Sequence, residues 1–283
     1  MPFFNSSDGV SYPINFVYYN KIFLMRQYKI SFAGAGKVAC ALCRELHNKG
    51  HFIEHIVSRN EKNGRTLADS CQATWSDDLV FPLTSEIIIV AVPDNSLSEV
   101  LSLVKCYESA IIAHTTGSIG LDVFPSRFKN NGVFYPLQTF SNARKPDLSK
   151  VPFFIEASDE RCAGTLKKIA ESISNSVYLS DTEHRRLLHL SAVFVSNFTN
   201  HMLTTGKDIS SMAGVPFDVL KPLILETIAK AIELGPENSQ TGPAVRYDLN
   251  TIEKHLELLT FSPELKSIYD LITKSIISYY KKN

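Results

Sequence analysis

The 283-residue sequence predicts an α/β domain built on a doubly wound, mainly parallel sheet, followed by an all-α C-terminal domain. Three observations carry this. Short β-branched runs alternate with helical stretches from Tyr28 to about Ser180. A glycine-rich turn joins the first of these runs to the first helical stretch. After Ser180 the β-branched runs give way to apolar residues at helical spacing.

Tyr28 to Ala33 reads as a strand. Lys37 to His47 reads as a helix, with Val38, Leu42 and Leu46 on one face. His51 to Val57 is a second strand, and Asn63 to Ser70 a second helix. Glu86 to Val92 is a buried strand, Leu97 to Tyr107 a helix and Ala110 to Ala113 a further strand. This order predicts right-handed crossovers, with both faces of the sheet covered. Three more strand-like runs, Gly132 to Tyr135, Pro152 to Glu156 and Ser176 to Leu179, extend the sheet, with room for antiparallel members. Asp181 or Thr182 is placed to cap the next helix, which runs from His184 to about Met212. Further helices are expected over Pro216 to Leu234, Leu249 to Leu259 and Pro263 to Tyr280. Two Gly-Pro pairs mark Gly235 to Val245 as a loop. The expected division is an N-terminal extension over 1–25, an α/β domain over 26–180 and a helical domain over 181–283.

Hydrophobic residues make up 44% of the chain and charged residues 20%, enough apolar material for a sizeable core. Lys plus Arg and Asp plus Glu are both 29, so the net charge is zero. That balance lacks the electrostatic footprint of a nucleic-acid or anionic-membrane binder. No apolar run approaches the roughly 18 residues needed to span a bilayer. The aromatic and polar first 24 residues lack the basic start and apolar stretch of a secretory signal. Five cysteines without repeated metal-ligand spacing suit a reducing, cytoplasmic setting. Cys40 and Cys43 form a C-x-x-C within an apolar helical pattern and read as small packing residues.

The sharpest chemical signal is Gly34-Ala35-Gly36-Lys37-Val38-Ala39, a G-x-G-x-x-A between a strand and a helix. The first glycine permits a tight turn, the second lets backbone approach a pyrophosphate, and the alanine allows close helix packing. The helix N-terminus offers free N–H groups and partial positive charge to phosphates. A Rossmann-type dinucleotide site follows, with Gly34, Ala35, Gly36, Lys37 and Val38 at the phosphates. At the end of the second strand an NAD site carries Asp or Glu for the ribose 2′-OH. Here Ser58-Arg59-Asn60 stands instead, so Arg59 is expected to pair with a 2′-phosphate and Ser58 to donate a further hydrogen bond. NADP is therefore favoured over NAD. Two later strand ends, Val92-Pro93-Asp94-Asn95-Ser96 and His114-Thr115-Thr116-Gly117-Ser118, face the same crevice. Val92, Pro93 and Thr115 are placed beside the cofactor, and Asn95 or Ser96 is a candidate helix cap. His114 reads first as structural and second as a catalytic acid.

Together, FAGAGKVA, VAVPD, HTTGS, YPLQTFS, HLSAVFVSNFTNH and QTGPAVRYD resemble the Rossmann-like short-subunit dehydrogenases whose C-terminal half is a domain of unknown function. The resemblance runs from Met25 to the C-terminus; YPLQTF, SNFTNH and TGPAVR are its most specific parts. More distantly, the chain is similar to pyrroline-5-carboxylate reductase and the β-hydroxyacid dehydrogenases. That likeness implies a nicotinamide cofactor and a helical domain that dimerises and closes the substrate site. Many relatives carry His where this chain has Tyr135. The distant relatives place a Lys and an Asn on the first helix after the sheet domain, and no Lys occupies that stretch here.

His189, Ser196 and Asn200 fall at i, i+7 and i+11 and would share one α-helical face; Asn197 and His201 form an adjacent pair. His189 is the available proton donor and Asn197 the candidate oxygen-orienting group; a buried polar network fixing helix packing is the competing reading. In the 240–248 loop, Gly242 and Pro243 would project Thr241 and Arg246. Arg246 suits a bidentate grip on a substrate carboxylate, and Asp248 either neutralises it or caps the next helix. Tyr135, Gln138 and Thr139 are expected along the same cleft, with Asn200. The expected function is NADP-dependent hydride transfer to or from a small carbonyl, imine or hydroxy compound, by a homodimer formed through the C-terminal helices. The alternative is a non-catalytic dinucleotide-binding sensor or scaffold.

Overall fold

The structure is a computed structural model that describes residues 26–141 and 143–281; the extension expected over 1–25 lies outside the described residues. Eight strands form one sheet: β1 (Lys29–Ala33), β2 (Phe52–Val57), β3 (Thr74–Ser76), β4 (Ile87–Val90), β5 (Ile111–His114), β6 (Asn131–Pro136), β7 (Phe153–Ala157) and β8 (Val177–Leu179). Their order is β3-β2-β1-β4-β5-β6-β7-β8, parallel except for the β6–β7 pair. The chain reverses its winding between β1 and β4, and there the crevice opens for a ligand.

Four helices cover the sheet: α1 (Lys37–Asn48), α2 (Glu61–Ser70), α3 (Asp94–Leu103) and α4 (Glu160–Ile173). One apolar core joins Leu42 and Leu46 of α1, Leu67 of α2 and Leu166 and Ile169 of α4 to Ile30, Phe32 and Phe134 of the sheet. A second, on the opposite face, joins Leu97 and Leu101 of α3 to Ile88 and Ile112. Burial on both faces explains why β4 and β5 read as continuous β-branched runs rather than alternating ones. Helix α4 was not expected. Its signal was present: Asp159 caps it by accepting from the Cys162 N–H, and Cys162, Leu166, Ile169 and Ile173 recur at helical spacing. The three-residue strand β3, at the sheet edge, was also missed.

Several helix boundaries differ from expectation. Helix α3 begins at Asp94 with Pro93 as its N-cap, so neither Asn95 nor Ser96 caps it. The stretch expected as one helix from His184 to Met212 consists of α5 (Thr182–Ala192), a π-helical turn (Val193–Phe198) and α6 (Thr199–Met212). Asp181 caps α5 through the His184 N–H. The chain divides into two compact units between Phe198 and Thr199. This is later than the expected 180/181 boundary, because Arg185 of α5 is buried against Glu156 and Ile119 of the sheet unit. The second unit contains α6, α7 (Lys221–Leu234), the single-turn α8 (Pro236–Ser239), α9 (Leu249–Leu258) and α10 (Pro263–Lys281). Asp248 caps α9 by accepting from the N–H and hydroxyl of Thr251, which decides its role in favour of capping. Among the described residues no helix is long and apolar enough to cross a membrane.

Candidate active site

The turn after β1 is built for close approach. Gly34 has φ +113°, and a Cβ there would stand 2.3 Å from the Ala91 carbonyl oxygen. Its N–H donates to the Val57 carbonyl at 2.7 Å, tying the turn to β2. Gly36, by contrast, is exposed, and a Cβ on it would meet nothing within 4 Å. It caps α1 with no side chain over the helix end and no acidic residue in the first turn. The N–H groups and partial positive charge of α1 are therefore open to an anion.

A cavity of about 640 Å³ lies beside this turn, lined by Gly34, Ala35, Gly36, Ser58 and Arg59 on one side and by Val92, Pro93 and Val100 on the other. Asp77 and Glu99 also reach its wall. A second cavity, about 760 Å³, shares Ala35, Gly36 and Asn63 with it and carries four cations, Lys37, Arg44, Lys62 and Lys145. The chain as a whole is neutral, so this is a local concentration of positive charge around the anion-accepting helix end. Expected cofactor contacts divide accordingly. Gly34, Ala35, Gly36, Ser58, Arg59, Val92 and Pro93 line the first cavity and Lys37 the second. Val38 turns its side chain onto the core and lines neither cavity. Thr115 lies directly after β5, half-buried, and lines neither cavity.

Ser58 corrects one expectation. Its hydroxyl donates to the Asn60 carbonyl at 3.0 Å and accepts from the Trp75 indole N–H at 3.1 Å. In this arrangement the proton is directed to the turn and not into the cavity. Arg59 is exposed and has no ion-pair partner among the described residues, while nearby Glu61 is held by Arg65 at 2.8 Å. Among the described residues no carboxylate forms an ion pair with the guanidinium at the end of β2.

The second feature lies where β5 and β6 end. The Tyr135 hydroxyl is 3.0 Å from His189 Nδ1 of α5, with the rings edge to face. Tyr135 is 8% exposed and His189 half-buried. Burial, reinforced by the Asp94 carboxylate and opposed by the Arg185 guanidinium, pushes the phenol up to about 12. Like an ordinary phenol it is protonated across the neutral range, so its O–H can donate a hydrogen bond. Gly117 permits this pairing: a Cβ there would stand 2.7 Å from both His189 Nδ1 and Tyr135 Cζ. Sequence reasoning named both residues but had no means to pair them across 54 positions.

His114 takes the structural role. It is fully buried at the end of β5, its Nδ1 accepts from the Thr116 N–H at 3.2 Å, and its ring stacks on Phe124. Burial, with the charge of Arg185, lowers its pKa to about 4. The cysteine pair also packs: Cys43 is buried and its thiol donates to Cys71 at 3.3 Å, while Cys40 donates to the Ala35 carbonyl.

The remaining expected residues lie on other elements. Gln138 is exposed and accepts from the Thr139 N–H. Asn197 lies exposed in the π-helical turn, and Asn200 is exposed on α6. The shared face expected for His189, Ser196 and Asn200 assumed 3.6 residues per turn, and the π-helical turn between them breaks that spacing. Nor do exposed Asn197 and Asn200 form a buried polar network. In the helical unit, Thr241 and Arg246 are exposed on the loop before α9, whose bend places Gly242 at φ +109° and Tyr247 at φ +59°.

Residues 29–115 match the family model described as "NADP oxidoreductase coenzyme F420-dependent", and residues 151–276 match a domain of unknown function (DUF2520). These matches support the two-part oxidoreductase architecture; they do not support the narrower short-subunit dehydrogenase grouping. A search of curated proteins finds no match. Among solved structures, a Bacteroides fragilis protein described as a "putative NADP oxidoreductase" is 40% identical. The alignment covers 89% of this chain and 98% of that one, with a TM-score of 0.81. An imine reductase from Myxococcus stipitatus in complex with NADP+ is 14% identical, covering 90% and 93% of the two chains at a TM-score of 0.62. A pyrroline-5-carboxylate reductase from Coxiella burnetii is 13% identical, covering 91% and 98% at a TM-score of 0.55. The last two share the fold alone. The glycine turn over an open helix end, the unopposed arginine at the end of β2 and the 40% identity over almost the whole Bacteroides chain lead to one conclusion: the chain belongs to the NADP oxidoreductase family that joins a Rossmann-like domain to a DUF2520 domain.

Proposed function

We propose that this NADP oxidoreductase moves a hydride to or from a small carbonyl, imine or hydroxy compound, and that Tyr135 and His189 carry the accompanying proton. The observation behind the proton path is the 3.0 Å contact between the Tyr135 hydroxyl and His189 Nδ1 at the carboxyl ends of the parallel strands.

The residues fit the cofactor. Gly36 leaves open space above free helix N–H groups, and Lys37, Arg44, Lys62, Lys145 and Arg59 supply positive charge for a ligand bearing a pyrophosphate and a 2′-phosphate. Bound there, the nicotinamide supplies or accepts the hydride. Tyr135 gives its proton to the substrate oxygen or nitrogen as that atom gains charge; His189 passes its Nδ1 proton to the phenolate while its Nε2 takes one from water, so the imidazole ends neutral. Half-buried, His189 links the buried phenol to solvent. In the oxidative direction the same groups run in reverse. Asn197 and Gln138 are proposed substrate contacts; in the helical unit, taken by itself, Asn200, Thr241 and Arg246 are exposed candidates for substrate binding, Arg246 as a carboxylate anchor. The imine reductase likeness supports screening imines beside carbonyl compounds.

Assembly as a homodimer is part of the proposal. No residue of α7 is buried, although Leu223, Leu225, Ile228 and Ile232 make it strongly apolar. A helix of that composition is stable when a second copy covers it. Five free cysteines suit a cytoplasmic setting.

The test is NADPH oxidation by purified protein over a panel of imines, ketones and keto acids, with Tyr135→Phe and His189→Gln beside wild type. Tyr135→Phe should bind NADPH normally and lose about 100-fold or more in kcat, with His189→Gln intermediate. Full activity in Tyr135→Phe would remove the proposed proton path.

A further inference from the structure

Arg185 is the largest side chain fully withdrawn from solvent among the described residues, and the proton path above does not use it. It precedes His189 by four residues on α5, one helical turn away on the same face. One terminal nitrogen donates to the Glu156 carboxylate in β7 and the other to the Ile119 carbonyl in the loop after β5. Glu156 accepts a further hydrogen bond from the Thr182 hydroxyl at 2.7 Å, in the first turn of the same helix. Arg186 donates to the Ser118 carbonyl at 2.8 Å, and the Ser118 hydroxyl donates to Asp94 at 2.5 Å. Two consecutive arginines thus grip two consecutive carbonyls of one short loop. That loop contains Gly117, the residue that faces both members of the Tyr135–His189 pair.

Burying a guanidinium and a carboxylate together yields little net stability, because desolvation offsets their attraction. What such a pair does provide is geometry: a planar fork aligns both partners at once. We propose that Arg185 is a positioning residue for the Tyr135–His189 pair, locking α5 against β7 and the 116–120 loop so that imidazole and phenol meet. This rests on the proton path above. Arg185 also opposes the upward push of burial on Tyr135, so the clamp and the phenol are electrostatically linked.

The experiment uses the full chain and needs no substrate. Ring-15N-labelled protein is examined by long-range 1H–15N spectra at mildly alkaline pH, where a free imidazole is neutral. The His189 signals are assigned through His189→Gln. In wild type His189 should show one tautomer, and in Tyr135→Phe the mixed tautomers of a free imidazole. Glu156→Gln keeps the side-chain shape and an oxygen to accept from Arg185, but loses the charge that aligns the guanidinium; its His189 signals should move most of the way to those of Tyr135→Phe. Arg185→Lys should do the same, and if it fails to fold, Glu156→Gln decides. Ile169→Val, a core change in α4, should lower the melting temperature and leave the His189 signals unmoved. A Glu156→Gln protein that melts lower yet keeps wild-type His189 signals would reduce Arg185 to a structural ion and overturn the proposal. Identical signals in wild type and Tyr135→Phe would instead remove the pair itself. A fully active Tyr135→Phe protein would refute the proton path while leaving the positioning intact.

Discussion

Arg59 is the one side chain proposed to set cofactor preference. It stands exposed at the end of β2, and Glu61, the carboxylate nearest in sequence, is tied to Arg65. A charged hydrogen bond to a 2′-phosphate contributes about 1.5–3 kcal/mol. Arg59→Ala should therefore raise the calorimetric Kd for NADP about ten-fold or more and leave that for NAD unchanged. Equal losses for both would mean the guanidinium only stacks on the adenine. His114 sets a second residue-scale expectation. Its pKa falls to about 4 because it is buried beside Arg185, whereas an unfolded histidine titrates near 6.5. The unfolded chain therefore binds the additional proton between those values. The stability this provides is complete above about pH 6.5 and is lost as pH falls through 4, to a limit of about 3 kcal/mol. His51 and His55 shift in the same direction, also through burial, and add to the acid limb. His114→Asn keeps an acceptor for the Thr116 N–H and should flatten that limb, measured as urea midpoints at neutral and acid pH.

At the scale of elements, the turn from β1 into α1 separates two uses of glycine. Gly34 needs both its left-handed backbone and the space that a Cβ would take from Ala91. Gly36 needs neither for folding, since a Cβ there meets open space. Gly34→Ala should therefore lower stability by about 2 kcal/mol or more, read from urea unfolding. Gly36→Ala should fold like wild type yet bind NADPH at least about ten-fold more weakly, since its methyl would stand in the proposed pyrophosphate approach. Normal affinity in folded Gly36→Ala would move the pyrophosphate elsewhere. The helix after β8 shows where periodicity fails. Its apolar residues keep a helical rhythm, but one π-helical turn over Val193–Phe198 breaks the angular relation that put His189, Ser196 and Asn200 on one face. No residue type marks that turn. Helix α4 is the opposite case, with its cap at Asp159 and a regular apolar stripe in plain view.

For the whole molecule, the proposed homodimer rests on the exposed apolar side chains of α7. Leu225 is 70% exposed and Ile232 81%. Light scattering after size exclusion should report a dimer. The double variant Leu225→Asp/Ile232→Asp should shift it to monomer while the sheet unit keeps its fold. A wild-type monomer at micromolar concentration would dismiss the dimer.

The sequence by itself determined the layered α/β unit, the helical unit and the dinucleotide turn. Those features rest on local physics: β-branched runs buried on both faces, apolar residues at helical period, and a backbone bend that glycine favours. Contact across the chain decided the rest. Tyr135 and His189 meet because β6 and α5 converge, Ser58 spends its proton on a neighbouring carbonyl, and Arg185 vanishes between β7 and a loop. Hydrogen bonds, burial and charge act over a few ångströms, and the order of residues along a chain does not show which distant groups will come that close.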